Sequence, residues 1–227
     1  GSEDTNTITV QTDGFSYYAV EFTYKTKTYD VKSGNKIAVD DIVSGVGLTG
    51  EVQSAVSSDE ELVSVSQESE KWYVVTDLMS EGKAVLTVTI ASVPYEINVN
   101  ILNDYNTFAV LTTDGNLVFF QKGRKVKDLE NQYGKISQKY IVSETSESHP
   151  WTDNAADIKN VVLLDEISPV STASWFAGCS NLVSVENPEL LKMSNSTSMC
   201  AMFSDCSSLV SLDANSWNTA CVTDMSD

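Results

Sequence analysis

The sequence predicts a mostly β chain in two parts: an antiparallel β-sandwich over residues 1–104, then the capped start of a solenoid with parallel strands over residues 105–227. Three observations carry this. Residues 7 to 101 alternate apolar and polar side chains in short runs separated by turn residues, the pattern of half-buried strands. Asn103-Asp104 then ends that pattern. Further on, Trp175-Phe176-Ala177-Gly178-Cys179-Ser180-Asn181-Leu182-Val183-Ser184-Val185-Glu186 returns 27 residues later as Met202-Phe203-Ser204-Asp205-Cys206-Ser207-Ser208-Leu209-Val210-Ser211-Leu212-Asp213.

In the first part, Thr7 to Thr12 alternates and Asp13-Gly14 supplies a turn. Tyr17 to Tyr24 and Thr28 to Val31 alternate on either side of Lys25-Thr26-Lys27, and Ser33-Gly34-Asn35 breaks the run. Val39 to Gly50 reads as an irregular connection, because the glycines of Val46-Gly47-Leu48-Thr49-Gly50 do not sustain a helix. Strands are expected again at Glu51 to Val56, Glu61 to Ser66, Trp72 to Thr76, Ala84 to Ala91 and Tyr95 to Ile101. Short strands at this spacing argue for a sandwich. Tyr17, Tyr18, Phe22, Tyr24 and Tyr29 are candidates for its core or, where exposed, for stacking on sugar rings.

Ser58-Asp59-Glu60-Glu61-Leu62-Val63-Ser64-Val65, Lys71-Trp72-Tyr73-Val74-Val75 and Glu81-Gly82-Lys83-Ala84-Val85-Leu86-Thr87-Val88-Thr89-Ile90 resemble the late strands of bacterial immunoglobulin-like domains. That resemblance implies a spacer or binding module and no particular ligand.

In the second part, Thr107 to Thr112 and Asn116 to Gln121 flank Thr113-Asp114-Gly115, a hairpin signal. Lys122 to Ser148 is polar and weakly patterned, and its Lys122, Arg124, Lys125, Lys127, Lys135 and Lys139 read as a solvated hairpin rim diluted by Asp128 and Glu130. Pro150 to Asp157 suggests a short helical cap with Pro near its start. Ile158 to Asp165 is the first expected solenoid strand, with Leu182 to Glu186 and Leu209 to Asp213 stacking parallel beside it. The repeat places Phe176 with Phe203, Cys179 with Cys206, Leu182 with Leu209 and Val185 with Leu212, and a unit near 26 residues is one strand plus a return segment that cannot bury its own apolar face.

Met202 to Asp213, then Ser216-Trp217-Asn218-Thr219 and Val222-Thr223-Asp224-Met225-Ser226, are similar to the pattern "M-F-x-x-C-S-S-L-x-S-L-D" and "W-x-T-x-x-V-T-D-M-S" of the BspA-like leucine-rich-repeat surface proteins of bacteria. The likeness spans residues 105 to 227, although the first copy departs from it at Asn187-Pro188-Glu189-Leu190-Leu191 and Ser196-Thr197-Ser198-Met199. It implies an exported, non-enzymatic adhesin on the bacterial cell surface, with host extracellular-matrix proteins or other bacterial surfaces as partners. A surface glycan-binding lipoprotein is the alternative. The second copy stops at Asp227: either the natural chain continues, or an apolar face is left open there and is expected to be covered by self-association.

Net charge narrows the partners. With 14 Lys and Arg against 32 Asp and Glu, the chain carries −18, which repels nucleic acid and anionic lipid but tolerates calcium or basic ligands. No apolar stretch is long enough to cross a bilayer, so membrane contact is expected only through a lipid anchor, for which the polar Ser2 to Thr7 suits a tether.

Cys179 and Cys206 are expected as small apolar residues inside the solenoid, while Cys200 and Cys221 are the candidates for crosslinks or surface thiols. Catalytic, cofactor and metal sites are not expected. A cysteine nucleophile would have His149 alone as its base, no C-x-x-C spacing supports zinc, and Asp40-Asp41 and Asp59-Glu60-Glu61 are adjacent acids that face water. Asn195-Ser196-Thr197 matches a glycosylation acceptor and reads as incidental.

Overall fold

The computed structural model describes residues 4–11, 17–24, 27–145 and 149–226, and of the strands at 4–11 and 17–24 the backbone only. It is mostly β, in several open sheets, and divides into two compact units, residues 1–103 and 104–227.

The first unit opens with β1 (Asp4–Gln11) and β2 (Tyr17–Tyr24), an antiparallel pair in a sheet of its own. The side chains of Tyr17, Tyr18, Phe22 and Tyr24 lie outside the described residues. Next come β3 (Lys27–Lys32), β4 (Lys36–Ala38), α1 (Val39–Gly45), β5 (Val52–Ser57), β6 (Val63–Glu68), β7 (Lys71–Thr76), β8 (Gly82–Ile90) and β9 (Val93–Leu102). They form a four-stranded sheet in the order β3-β9-β8-β5 and a three-stranded sheet in the order β4-β7-β6. Ala84, Leu86, Val88 and Ile90 of β8 and Ile97, Val99 and Ile101 of β9 are buried as alternate residues, and they share one core with Val63 and Val74 of the smaller sheet.

Three features depart from expectation. Val39 to Gly45 is helical: Val39, Ile42 and Val43 recur at helical spacing and are buried, Asp40 and Asp41 favour the first turn, and the glycine-rich stretch only follows the helix. Lys36 to Ala38 is a strand pairing with β7. The larger sheet is not wholly antiparallel, since β3 runs parallel to β9, a pairing of strands far apart in sequence that local alternation does not encode. Tyr29, half-buried, packs on this core.

The second unit contains β10 (Thr107–Thr112), β11 (Asn116–Gln121), α2 (Val126–Tyr133), β12 (Ile136–Ile141), a 3₁₀ segment at Thr152–Asp157, β13 (Asn160–Leu163) and β14 (Ser184–Glu186). Their sheet order is β12-β10-β11-β13-β14, antiparallel on the β10 side and parallel from β11 onward. One face, with Ala109, Leu111, Leu117, Phe119, Val161 and Leu163, packs on Trp151, Trp175, Phe176, Cys179 and Leu182. Phe108, Val110, Val118, Phe120 and Val162 of the other face are buried as well, which is why β10 and β11 read as continuous apolar runs.

The polar stretch after β11 is not a hairpin rim. It folds into α2 and β12, with Leu129 buried on the helix and Gly134 ending it at φ 98°. Residues 209–213 form no strand; the contact between their turn and the preceding one runs through the backbone of residues 172–178 and 198–204 instead.

Candidate recognition surface on the repeated turns

The repeat in the sequence is a repeat in conformation. Ser174 and Ala201 are both left-handed, at φ 57° and 51°, as are Gly178 and Asp205, at 77° and 59°. The same turn bonds recur: Trp175 N–H donates to Thr172 O at 3.1 Å and Met202 N–H to Met199 O at 3.1 Å, while Cys179 N–H reaches Phe176 O at 3.0 Å and Cys206 N–H reaches Phe203 O at 3.1 Å. Ser171, Ser198 and Asp224 each accept, through a side-chain oxygen, the backbone N–H two residues on. Alanine at a left-handed position is strained, so Ala201→Gly is expected to stabilise the second unit by up to about 1 kcal/mol in chemical denaturation. A loss of stability would contradict this conformation.

Successive turns are bonded through their backbones. The N–H groups of Thr172, Ser174, Phe176 and Gly178 donate to the carbonyls of Ser198, Cys200, Met202 and Ser204, at 2.9 to 3.0 Å. Thr197 N–H then reaches Val170 O and Thr223 N–H reaches Thr197 O, and Ser198 pairs with Asp224 in a parallel bridge. One register therefore spans three turns.

Seven of the eight predicted repeat residues meet in one apolar cluster. Phe176, Cys179 and Leu182 are buried there, and Val185, Phe203, Cys206 and Leu209 pack against it half-buried. Leu212 is half-buried and stands apart from that cluster. Phe176 and Phe203 stack with centroids 5.3 Å apart, and the Cys206 thiol donates to Phe176 O at 3.0 Å. All four cysteines are free.

Burial pushes the Cys179 thiol up to about 12, with Cys206 adding to the rise, and burial raises Cys206 too. The folded chain holds the Cys179 proton where an unfolded one releases it. That burial therefore contributes stability that is complete below about pH 9 and lost as the pH climbs toward 12. At about pH 8, iodoacetamide is expected to label exposed Cys221 promptly and Cys179 only after unfolding; equal rates would contradict the packing.

The outside of the turns is chemically different. Asn116, Asn160 and Ser184 stand in register across β11, β13 and β14, joined by Ser184 Oγ to Asn160 Oδ1 at 2.9 Å and Asn160 Nδ2 to Asn116 Oδ1 at 3.1 Å. Ser180, Asn181, Glu186, Ser207 and Ser211 are exposed. So are Val183 and Val210, at 54% and 95%. These two valines occupy one repeat position, so each copy carries an exposed apolar residue there.

The other chemistry-bearing residues remain scattered. His149 lies 6.5 Å from the Trp151 ring, and no group of three or more His, Cys, Asp or Glu placed to hold a metal occurs among the described residues. Arg124 binds Asp165 through Nε and Nη2, both at 2.8 Å, and this bond holds the Asp165 carboxyl below its ordinary range. The pair's contribution is present at neutral pH and lost as the pH falls through the folded-state value. Comparison with protein-family models, with curated proteins and with solved structures finds no match.

Proposed function

We propose that this chain is a non-enzymatic adhesin of the bacterial cell surface, with an immunoglobulin-like spacer followed by a cap and leucine-rich repeats of the BspA-like kind. The observation that supports the reading is the division of labour within each turn. The matched residues Phe176 and Phe203, Cys179 and Cys206, and Leu182 and Leu209 pack inside, while the outside carries serine, asparagine, carboxylate and valine. An interior that repeats leaves the exterior able to change without cost to folding, and extended exteriors of this kind recognise macromolecules. Binding is assigned to the outer residues Ser180, Asn181, Val183, Ser207 and Val210.

Matrix-protein and polysaccharide arrays, with a hydrolase assay beside them, test this. Saturable binding to a matrix protein or a bacterial surface, weakened by Val183→Asp with Val210→Asp, is the expected result. Binding confined to polysaccharide, or turnover of any substrate, would overturn it.

A further inference from the structure

Six of the 14 Lys and Arg fall between residues 122 and 139, against two carboxylates, Asp128 and Glu130, in a chain of net charge −18. They sit on α2, the loops before and after it and β12, and Lys122, Arg124, Lys125, Lys127 and Lys135 are exposed. Lys125, Lys127 and Lys135 make no ion pair among the described residues. Arg124, by contrast, is fixed against the end of β13 by Asp165, with Nη2 also on Leu164 O at 3.2 Å.

Beside Arg124 is a shallow depression of about 270 Å³, lined by Arg124, Lys125, Asp128, Leu129, Gln132 and Leu164. Leu129 and Leu164 give it an apolar component. Arg124, Lys125 and Gln132 supply donors, and Asp128 and the Gln132 carbonyl supply acceptors.

A ligand that satisfies this set presents an anion, hydroxyl donors and an apolar ring edge together. Phosphate groups offer acceptors alone, so Asp128 opposes them. Acidic peptides match the lysines, but polyglutamate brings only backbone N–H donors for Asp128, whereas a sugar ring presents several hydroxyls beside its carboxylate. We propose that this depression binds an acidic glycan, its uronic-acid carboxylate on Lys125, beside the Asp165-bound Arg124, and its ring hydroxyls shared between Asp128 and Gln132. The site is on other elements than the repeated turns, so it stands or falls independently of the adhesin reading.

Calorimetric titration of the whole chain with an oligogalacturonate tests the proposal, with the neutral galactose oligomer, polyglutamate and a short DNA duplex as parallel arms. Saturable binding to the oligogalacturonate is expected, weakening as ionic strength rises. Lys125→Glu with Lys127→Glu is expected to weaken it at least about tenfold without changing the circular dichroism, since both side chains are exposed. Asp128→Ala is expected to weaken the glycan and tighten polyglutamate. No saturable binding, equal binding of the neutral oligomer, tighter binding of polyglutamate or DNA, or a gain for the glycan in Asp128→Ala would each overturn the assignment.

Discussion

Replacing Trp151 by alanine is expected to cost the second unit about 3–5 kcal/mol, enough to unfold it in chemical denaturation while the first unit keeps its own transition. The side chain is fully buried, its indole N–H donates to Trp175 O, and its ring meets Phe119 at 5.1 Å, Trp175 at 5.3 Å and Tyr140 at 6.2 Å. Phenylalanine substitutions separate the hydrogen bond from the packing. Trp151→Phe strands the Trp175 carbonyl, whereas Trp175→Phe removes an indole N–H that is buried and unpaired. The first is therefore expected to cost more than the second, because an unpaired buried polar group carries a penalty of about 1–3 kcal/mol. Equal costs would contradict the assigned hydrogen bond.

Phe176→Ala is the second large effect, again about 3–5 kcal/mol, against roughly half as much for Phe203→Ala. The two residues hold the same repeat position and stack on each other. Phe176 is also enclosed by Phe119 and Trp175, with edge-on contacts at 6.4 and 6.2 Å, while Phe203 is half-buried. Urea denaturation of the two variants measures the difference. Equal or reversed costs would show that the turns are not ordered from buried to open in this direction.

Local patterns were the legible part of this fold. In β8 the alternation of Leu86, Val88 and Ile90 with Thr87 and Thr89, and in β9 that of Ile97, Val99 and Ile101 with Asn98 and Asn100, states which face is buried before any partner is known. The 27-residue offset likewise pointed to residues that pack in one cluster, Phe176 with Phe203 and Cys179 with Cys206 among them, while Leu212 stands apart.

What stayed hidden depends on distance or on weak contrast. The parallel pairing of β3 with β9 joins residues some 70 positions apart, as in Asp30 and Asn100. On α2 the apolar face is short, Val126, Leu129 and Tyr133 in eight residues, and only Leu129 is buried. The hairpins at Ser69-Glu70 and Ala91-Ser92 turn on left-handed residues without the glycine or asparagine that marks such turns. The depression beside Arg124 is assembled from α2, the loop before it and the residue after β13, Arg124 and Leu164 being 40 positions apart.

Scalar couplings across hydrogen bonds, read by NMR, address the stacked register most directly. Correlations are predicted from Phe176 N–H to the Met202 carbonyl, from Gly178 to Ser204 and from Thr223 to Thr197. Partners displaced from this register, or fast exchange of these amides with solvent and no couplings, would contradict it.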